Sequence, residues 1–157
     1  SSRVNVVIPT KSNFSGLAEL LSDLSLDPAV GTICIVADGQ NTYDTLPDPG
    51  DGIIKVVVPE GVGIHKMWNL GIETVGRESH IAFINDDVRL EQHCLSSLSD
   101  SLDNDPTIGI ICPNYTSIDI NEDRRVLNTC RSRYDGTGGL AGFAMMLRSD
   151  LVKVWNF

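Results

Sequence analysis

The stretch His80-Ile81-Ala82-Phe83-Ile84-Asn85-Asp86-Asp87-Val88 constrains this chain more than any other. An apolar run of strand length ends abruptly in three polar residues, two of them adjacent carboxylates. Such a run reads as a buried strand. Acids at its end then lie at the carboxyl edge of a sheet, where open α/β folds bind ligands. Two adjacent carboxylates repel one another unless a cation or a ligand hydroxyl compensates them. A divalent cation held by carboxylate oxygen, with ligand phosphates completing its shell, explains the pair economically. A helix cap is the plainer alternative. A capping box, however, places Glu or Gln three residues after the cap, and Arg89 and Leu90 stand there instead.

The remaining chain alternates strand and helix patterns. Residues 3–9 (RVNVVIP) form a first buried strand. Leu17, Leu20, Leu21 and Leu24 recur at helical spacing, with Ser12 or Asn13 as cap and Asp27-Pro28 as stop. Residues 32–37 (TICIVA) predict a second strand closed by Asp38-Gly39, and 41–52 read as loop. Residues 53–58 (IIKVVV) predict a third strand. Ile64, Met67, Trp68, Ile72 and Val75 then predict a helix up to Gly76. Beyond the acids, Leu90, Cys94, Leu95, Leu98 and Leu102 predict another helix, and 108–112 a fifth strand. Residues 114–139 read as irregular with one strand near 126–130, followed by a strand at 142–147 and a helix at 150–155. Alternation at this pitch implies βαβ units and a mostly parallel sheet. The expected architecture is a Rossmann-like α/β three-layer sandwich forming one domain over residues 1–157.

Charge narrows the partners. Lys and Arg total 12 against 21 Asp and Glu, a net charge of −9, which argues against wrapping nucleic acid or docking on anionic lipid. No apolar run approaches the ~20 residues of a membrane span, and no charged-then-apolar leader opens the chain. Cysteines 34, 94, 112 and 130 form no CxxC pair. They read as reduced and structural, and a cytoplasmic location is expected.

Other stretches are weaker alone. Pro9-Thr10-Lys11-Ser12-Asn13 reads as a strand-to-helix turn. Asp38-Gly39 is either a turn or an acid accepting from a base or ribose. His65, Lys66 and Asn69 share a helix face near the carboxyl edge. Lys66 is placed to approach a diphosphate there, and the role of His65 stays open. The run GTGGLA at 136–141 formally fits G-x-G-x-x-A, but it follows a charged segment and precedes a strand, the reverse of a dinucleotide fingerprint.

Taken in order, these stretches resemble the nucleotide-sugar glycosyltransferases of the GT-A fold, especially inverting family 2. VVIPTKSN is similar to that family's first strand and helix, and IVADGQNTYD to its second strand and acidic turn. VPEGVGIHKMWNLGIE resembles the glycine-bearing loop and the helix with a basic residue and Asn-x-Gly. IAFINDDVRL resembles the metal-binding DxD segment in an Asp-Asp variant, and GGLAGFAMMLRSDLV the strand beside the sugar. The resemblance implies a UDP- or GDP-sugar donor, a Mn2+ or Mg2+ ion and an acceptor hydroxyl. It implies donor binding by Pro9, Thr10, Asp38, Lys66, Asn69, Asn85 and Asp86, with Thr10 and Asp38 at the base, Asp86 at the ribose and Lys66 near the diphosphate. Asp87 would hold the metal alone, since Asn85 stands where many members have Asp. Family members continue past a position like Phe157 into an acidic stretch that supplies the catalytic base. Asp119, Glu122, Asp123 and Asp135 are candidates for that role by location only. The alternatives are a non-catalytic sugar-nucleotide or carbohydrate-binding module, or a fragment needing a partner, and a nucleotidyltransferase of similar sheet architecture.

Overall fold

The computed structural model describes residues 2–119, 124–128 and 144–157. β1 (Val4–Thr10) is buried along its whole length. Its alternate side chains serve two cores: Val4, Val6 and Ile8 enter one, and Val7 enters the other. α1 (Phe14–Ser25) presents Leu17, Leu20 and Leu24 to the first core. Of the two expected caps, Asn13 is the one used, its Oδ1 accepting the Gly16 N–H at 3.2 Å. β2 (Val30–Asp38) and β3 (Ile53–Val58) then extend the sheet in parallel register.

Between them lies α2 (Gln40–Thr45), a helix within the stretch read as loop. QNTYDT carries no apolar periodicity, and its support comes from elsewhere in the chain. Lys55 of β3 donates to the Tyr43 and Leu46 carbonyls, each at 3.3 Å, and sits 4.4 Å over the Tyr43 ring. The Thr42 hydroxyl donates to the Lys11 carbonyl at 2.7 Å.

α3 (Ile64–Val75) packs Met67, Trp68 and Ile72 into the second core. It crosses β1 at Gly71, where a Cβ would stand 2.3 Å from Val7 Cγ1. Asn5 of β1 donates to the Val75 carbonyl at the end of this helix. β4 (His80–Ile84) is wholly buried, with Ala82 and Ile84 in the first core and Ile81 and Phe83 in the second. Continuous apolarity therefore reflects a strand covered on both faces.

The expected helix through Leu90 divides into two elements. β5 (Val88–Leu90) follows the acids, and α4 (Cys94–Asn104) begins four residues later. Leu90 satisfies helical spacing with Cys94, yet Val88-Arg89-Leu90 alternates as a strand does, and tertiary contacts decide for the strand. Asp27 also does more than stop α1: its Oδ2 accepts the Leu95 and Ser96 N–H groups at 3.0 and 3.1 Å, supplying the N-terminal anion of α4.

β6 (Ile110–Ile111) is shorter than the expected 108–112, because Arg148 Nε takes the Ile108 carbonyl at 2.6 Å. Two strands occupy part of the 114–139 stretch: β7 (Asn114–Asp119), in the part read as irregular, and β8 (Arg124–Asn128), which overlaps the strand expected near 126–130. β9 (Ala144–Leu147) and the short α5 (Ser149–Val152) complete the chain order. Arg77 Nη1 donates to the carbonyls of Val152 and Trp155 and ends α5 well before the expected 155.

The six-stranded sheet runs β3-β2-β1-β4-β9-β6, parallel except at β9. A second sheet runs β5-β8-β7. Helices α1 and α4 cover one face of the large sheet and α3 and α5 the other, giving the three-layer α/β sandwich. Cys34 is a free thiol, and burial pushes it up to about 11. Cys130 lies outside the described residues. Among the described residues no helix is long and apolar enough to cross a membrane.

Candidate functional site

From β1 the chain builds the sheet outward through β2 and β3, then returns to add β4 on the opposite side. That reversal opens a crevice between the carboxyl ends of β1 and β4. A cavity of 310 Å³ occupies it. Pro9 and Thr10 line it from β1, Asp38 from β2, and Asn85, Asp86 and Asp87 from the end of β4. The β1–α1 connection adds Lys11, Ser12 and Asn13, and the first turns of α3 add Ile64 and Met67. Among the described residues no side chain caps the start of α3, so the positive end of a twelve-residue helix begins at the cavity wall.

The acids are held in different ways. Asp38 Oδ1 accepts the Gly61 N–H at 2.9 Å and braces the β3–α3 connection. Asp86 Oδ2 accepts the Thr10 hydroxyl at 2.7 Å, tying the ends of β1 and β4 together. Burial pushes the Asp86 carboxyl above its ordinary range; the Thr10 bond opposes this and the Asp87 charge adds to it. Asp87 is held by no such bond at Oδ1, which is buried and has no hydrogen-bond partner among the described residues. A carboxylate oxygen withdrawn from water without a donor is costly, and calls for a cation or a donating ligand.

The donor set suits a hard divalent ion. Among the described residues no three His, Cys, Asp or Glu side chains converge. An ion here would take one or two protein oxygens, from Asp87 and its neighbours, and the rest from ligand phosphate and water. That is the usual habit of Mg2+ and similar ions.

Lys66 and Asn69 lie apart from this group. Lys66 is exposed on α3 and does not line the cavity. The Asn69 amide is committed to the Phe157 backbone, with Nδ2 donating to its carbonyl at 2.9 Å and Oδ1 accepting its N–H at 2.8 Å. His65 stacks on Phe157 at 6.1 Å and lies 5.7 Å from the Trp68 ring, so its contacts are aromatic. Glu122, Asp123, Asp135, the side chain of Asp119 and the 136–141 run lie outside what is described.

Sequence reasoning passed over Lys11, Ser12, Asn13, Ile64 and Met67. The signal for the first three was available, because the carboxyl-edge logic that selects Pro9 and Thr10 extends to the residues that follow them. Lys11 is the one cation lining the cavity among the described residues, and pairs with Glu60 at 3.8 Å.

The sequence matches the family model of glycosyl transferase family 2 over residues 5–153. No curated protein sequence matches it. In fold it is similar to the mannosyltransferase PcManGT from Pyrobaculum calidifontis, solved in complex with GDP-Man and Mn2+, with a TM-score of 0.69 and 16% identity over 99% of this chain and 47% of that one. It is similar to TarS 1-349 of S. aureus at a TM-score of 0.66 and 14% identity, over 96% and 48% of the two chains. A CMP:2-keto-3-deoxy-manno-octonic acid synthetase complexed with CTP follows at 0.62 and 10%, over 97% and 76%. The chain spans about half the length of the first two structures. At these identities the likeness is one of fold.

Proposed function

The chain belongs to glycosyl transferase family 2, and from that premise we propose that it is the donor-binding domain of a glycosyltransferase. The donor is a nucleoside-diphosphate sugar, UDP- or GDP-linked, held with one Mn2+ or Mg2+ ion. The observation that carries this reading is the buried Asp87 Oδ1, unpartnered among the described residues, beside a cavity at the β1/β4 crevice. The GDP-Man and Mn2+ held by the structural relative PcManGT are in keeping with it.

In this reading Pro9 and Thr10 wall the base end, and Asp38 and Asp86 offer acceptors to base and ribose. Asp87 holds the cation, and Lys11 and the start of α3 favour the diphosphate electrostatically. The bound cation supplies charge neutralisation for the departing nucleoside diphosphate. An acceptor hydroxyl displaces that diphosphate from the anomeric carbon with inversion, its proton passing to a general base. Cytoplasmic location remains part of the proposal.

Calorimetric titration of UDP and GDP, with and without Mn2+, tests the donor site. Metal-dependent binding is expected for the wild-type chain and should vanish in Asp87→Ala. Unchanged affinity in that variant would sink the assignment. Sugar transfer from a bound donor separates an enzyme from a module that only binds, and pyrophosphate release from a nucleoside triphosphate would favour nucleotidyl transfer instead.

A further inference from the structure

Asp86 and Asp87 sit on a short connection between two sheets. Before it, β4 is locked between β1 and β9 in the large sheet. After it, β5 has three residues and, among the described residues, pairs only with β8, at one edge of the small sheet. An acid turn supported on one side only would shift with the small sheet. The missing support comes from α1, which grips the turn at both ends.

At the far end, Arg89 Nε and Nη2 donate to Asp23 Oδ2 and Oδ1 at 2.7 and 2.9 Å. The Leu90 N–H donates to the same Asp23 Oδ2 at 3.0 Å. Three bonds therefore converge on one carboxylate, whose side chain is only 12% exposed. A bidentate guanidinium–carboxylate pair fixes orientation as well as distance. At the near end, Asn13 Nδ2 donates to the Asp86 carbonyl at 3.4 Å. Gly16 lets the helix approach so closely that a Cβ there would stand 2.6 Å from that carbonyl oxygen. Gly16 and Asp23 lie about two turns apart on α1, and Asp87 is slung between the points they hold.

We infer that the Asp23–Arg89 pair positions the Asp86–Asp87 turn, and through it the cation and diphosphate that the turn receives; the functional half rests on the donor-binding reading above. Neither residue lines the cavity. They act through the acids and are positioning residues. Outer partners of metal-binding groups commonly change metal affinity 10–100-fold when altered, by about the amount expected here.

The test compares wild type, Asp23→Asn and the milder Arg89→Lys, which keeps the charge and loses the fork. UDP and GDP are titrated into each with Mn2+ and with EDTA, and amide hydrogen exchange is followed over residues 86–90. Each variant is expected to lose about 10-fold or more of its Mn2+-dependent affinity. Affinity in EDTA should stay as in wild type, and exchange over 86–90 should quicken. Equal losses with and without Mn2+ would show general loosening and overturn the inference. So would full metal dependence in Arg89→Lys, or unaltered exchange. If wild type binds with Mn2+ and the variants match it, this inference alone falls. If wild type shows no metal-dependent binding, the donor reading falls with it.

Discussion

Lys11 and Glu60 meet at 3.8 Å with side chains 64% and 70% exposed. A pair of that kind contributes at most about 1 kcal/mol and is readily exchanged. Lys11 lines the cavity, so under the proposed donor-binding role an arriving diphosphate would compete with Glu60 for the ammonium. Lys11→Gln is expected to weaken UDP or GDP binding by about 3–10-fold, with the loss shrinking at high salt. Glu60→Gln should strengthen binding modestly, and calorimetry at two salt concentrations reads both. At this scale the carboxyl-edge rule found the acids and their strand-end neighbours, since parallel strands bring those ends together whatever the loops do. The rule could not see that Asn69 is committed to Phe157, 88 positions away. Nor could it show that Lys66 does not line the cavity, because helix spacing gives a face without giving what that face meets.

Strands were legible wherever both faces are covered, since burial on two sides leaves an unbroken apolar run, as in β1 and β4. Elements stabilised by distant groups were not. α2 depends on Lys55 and on the Lys11 carbonyl, and β5 on Asp23 and on pairing with β8. Nothing in their own few residues announces either. The contact of α3 with β1 depends on one glycine. Gly71→Ala would force a methyl group against Val7, and should destabilise the chain by about 1–3 kcal/mol. Denaturant midpoints measure this, and a loss below a few tenths of a kcal/mol would show that the helix can slide.

Over the whole molecule, His80 joins parts that are far apart in sequence. Its Nδ1 accepts the Ser149 N–H at 2.9 Å and its Nε2 lies 3.0 Å from Asp103 Oδ1, so Nε2 is the nitrogen that donates to the carboxylate. Asp103 also accepts the Ser2 N–H and hydroxyl, each at 2.8 Å. Burial pushes the Asp103 carboxyl up, but the bonds from His80 and Ser2 together outweigh it and leave the group below its ordinary range. A depressed carboxyl favours the folded state above the unfolded value, about pH 4, and loses that contribution as pH falls through the folded one. Asp103→Asn should therefore lower Tm at neutral pH and flatten its fall in acid; parallel melting curves for the two proteins would refute this. The first strand lies inside the sheet, not at its edge, and this affects how the chain matures. β1 can pair early with β2, close to it in sequence, but Thr10 must wait for Asp86, 76 positions later. During synthesis the nascent chain has no crevice between β1 and β4 until β4 emerges, so a ligand of that crevice cannot assist the early steps of folding. The crevice is assembled by the slow, long-range pairing of the topology.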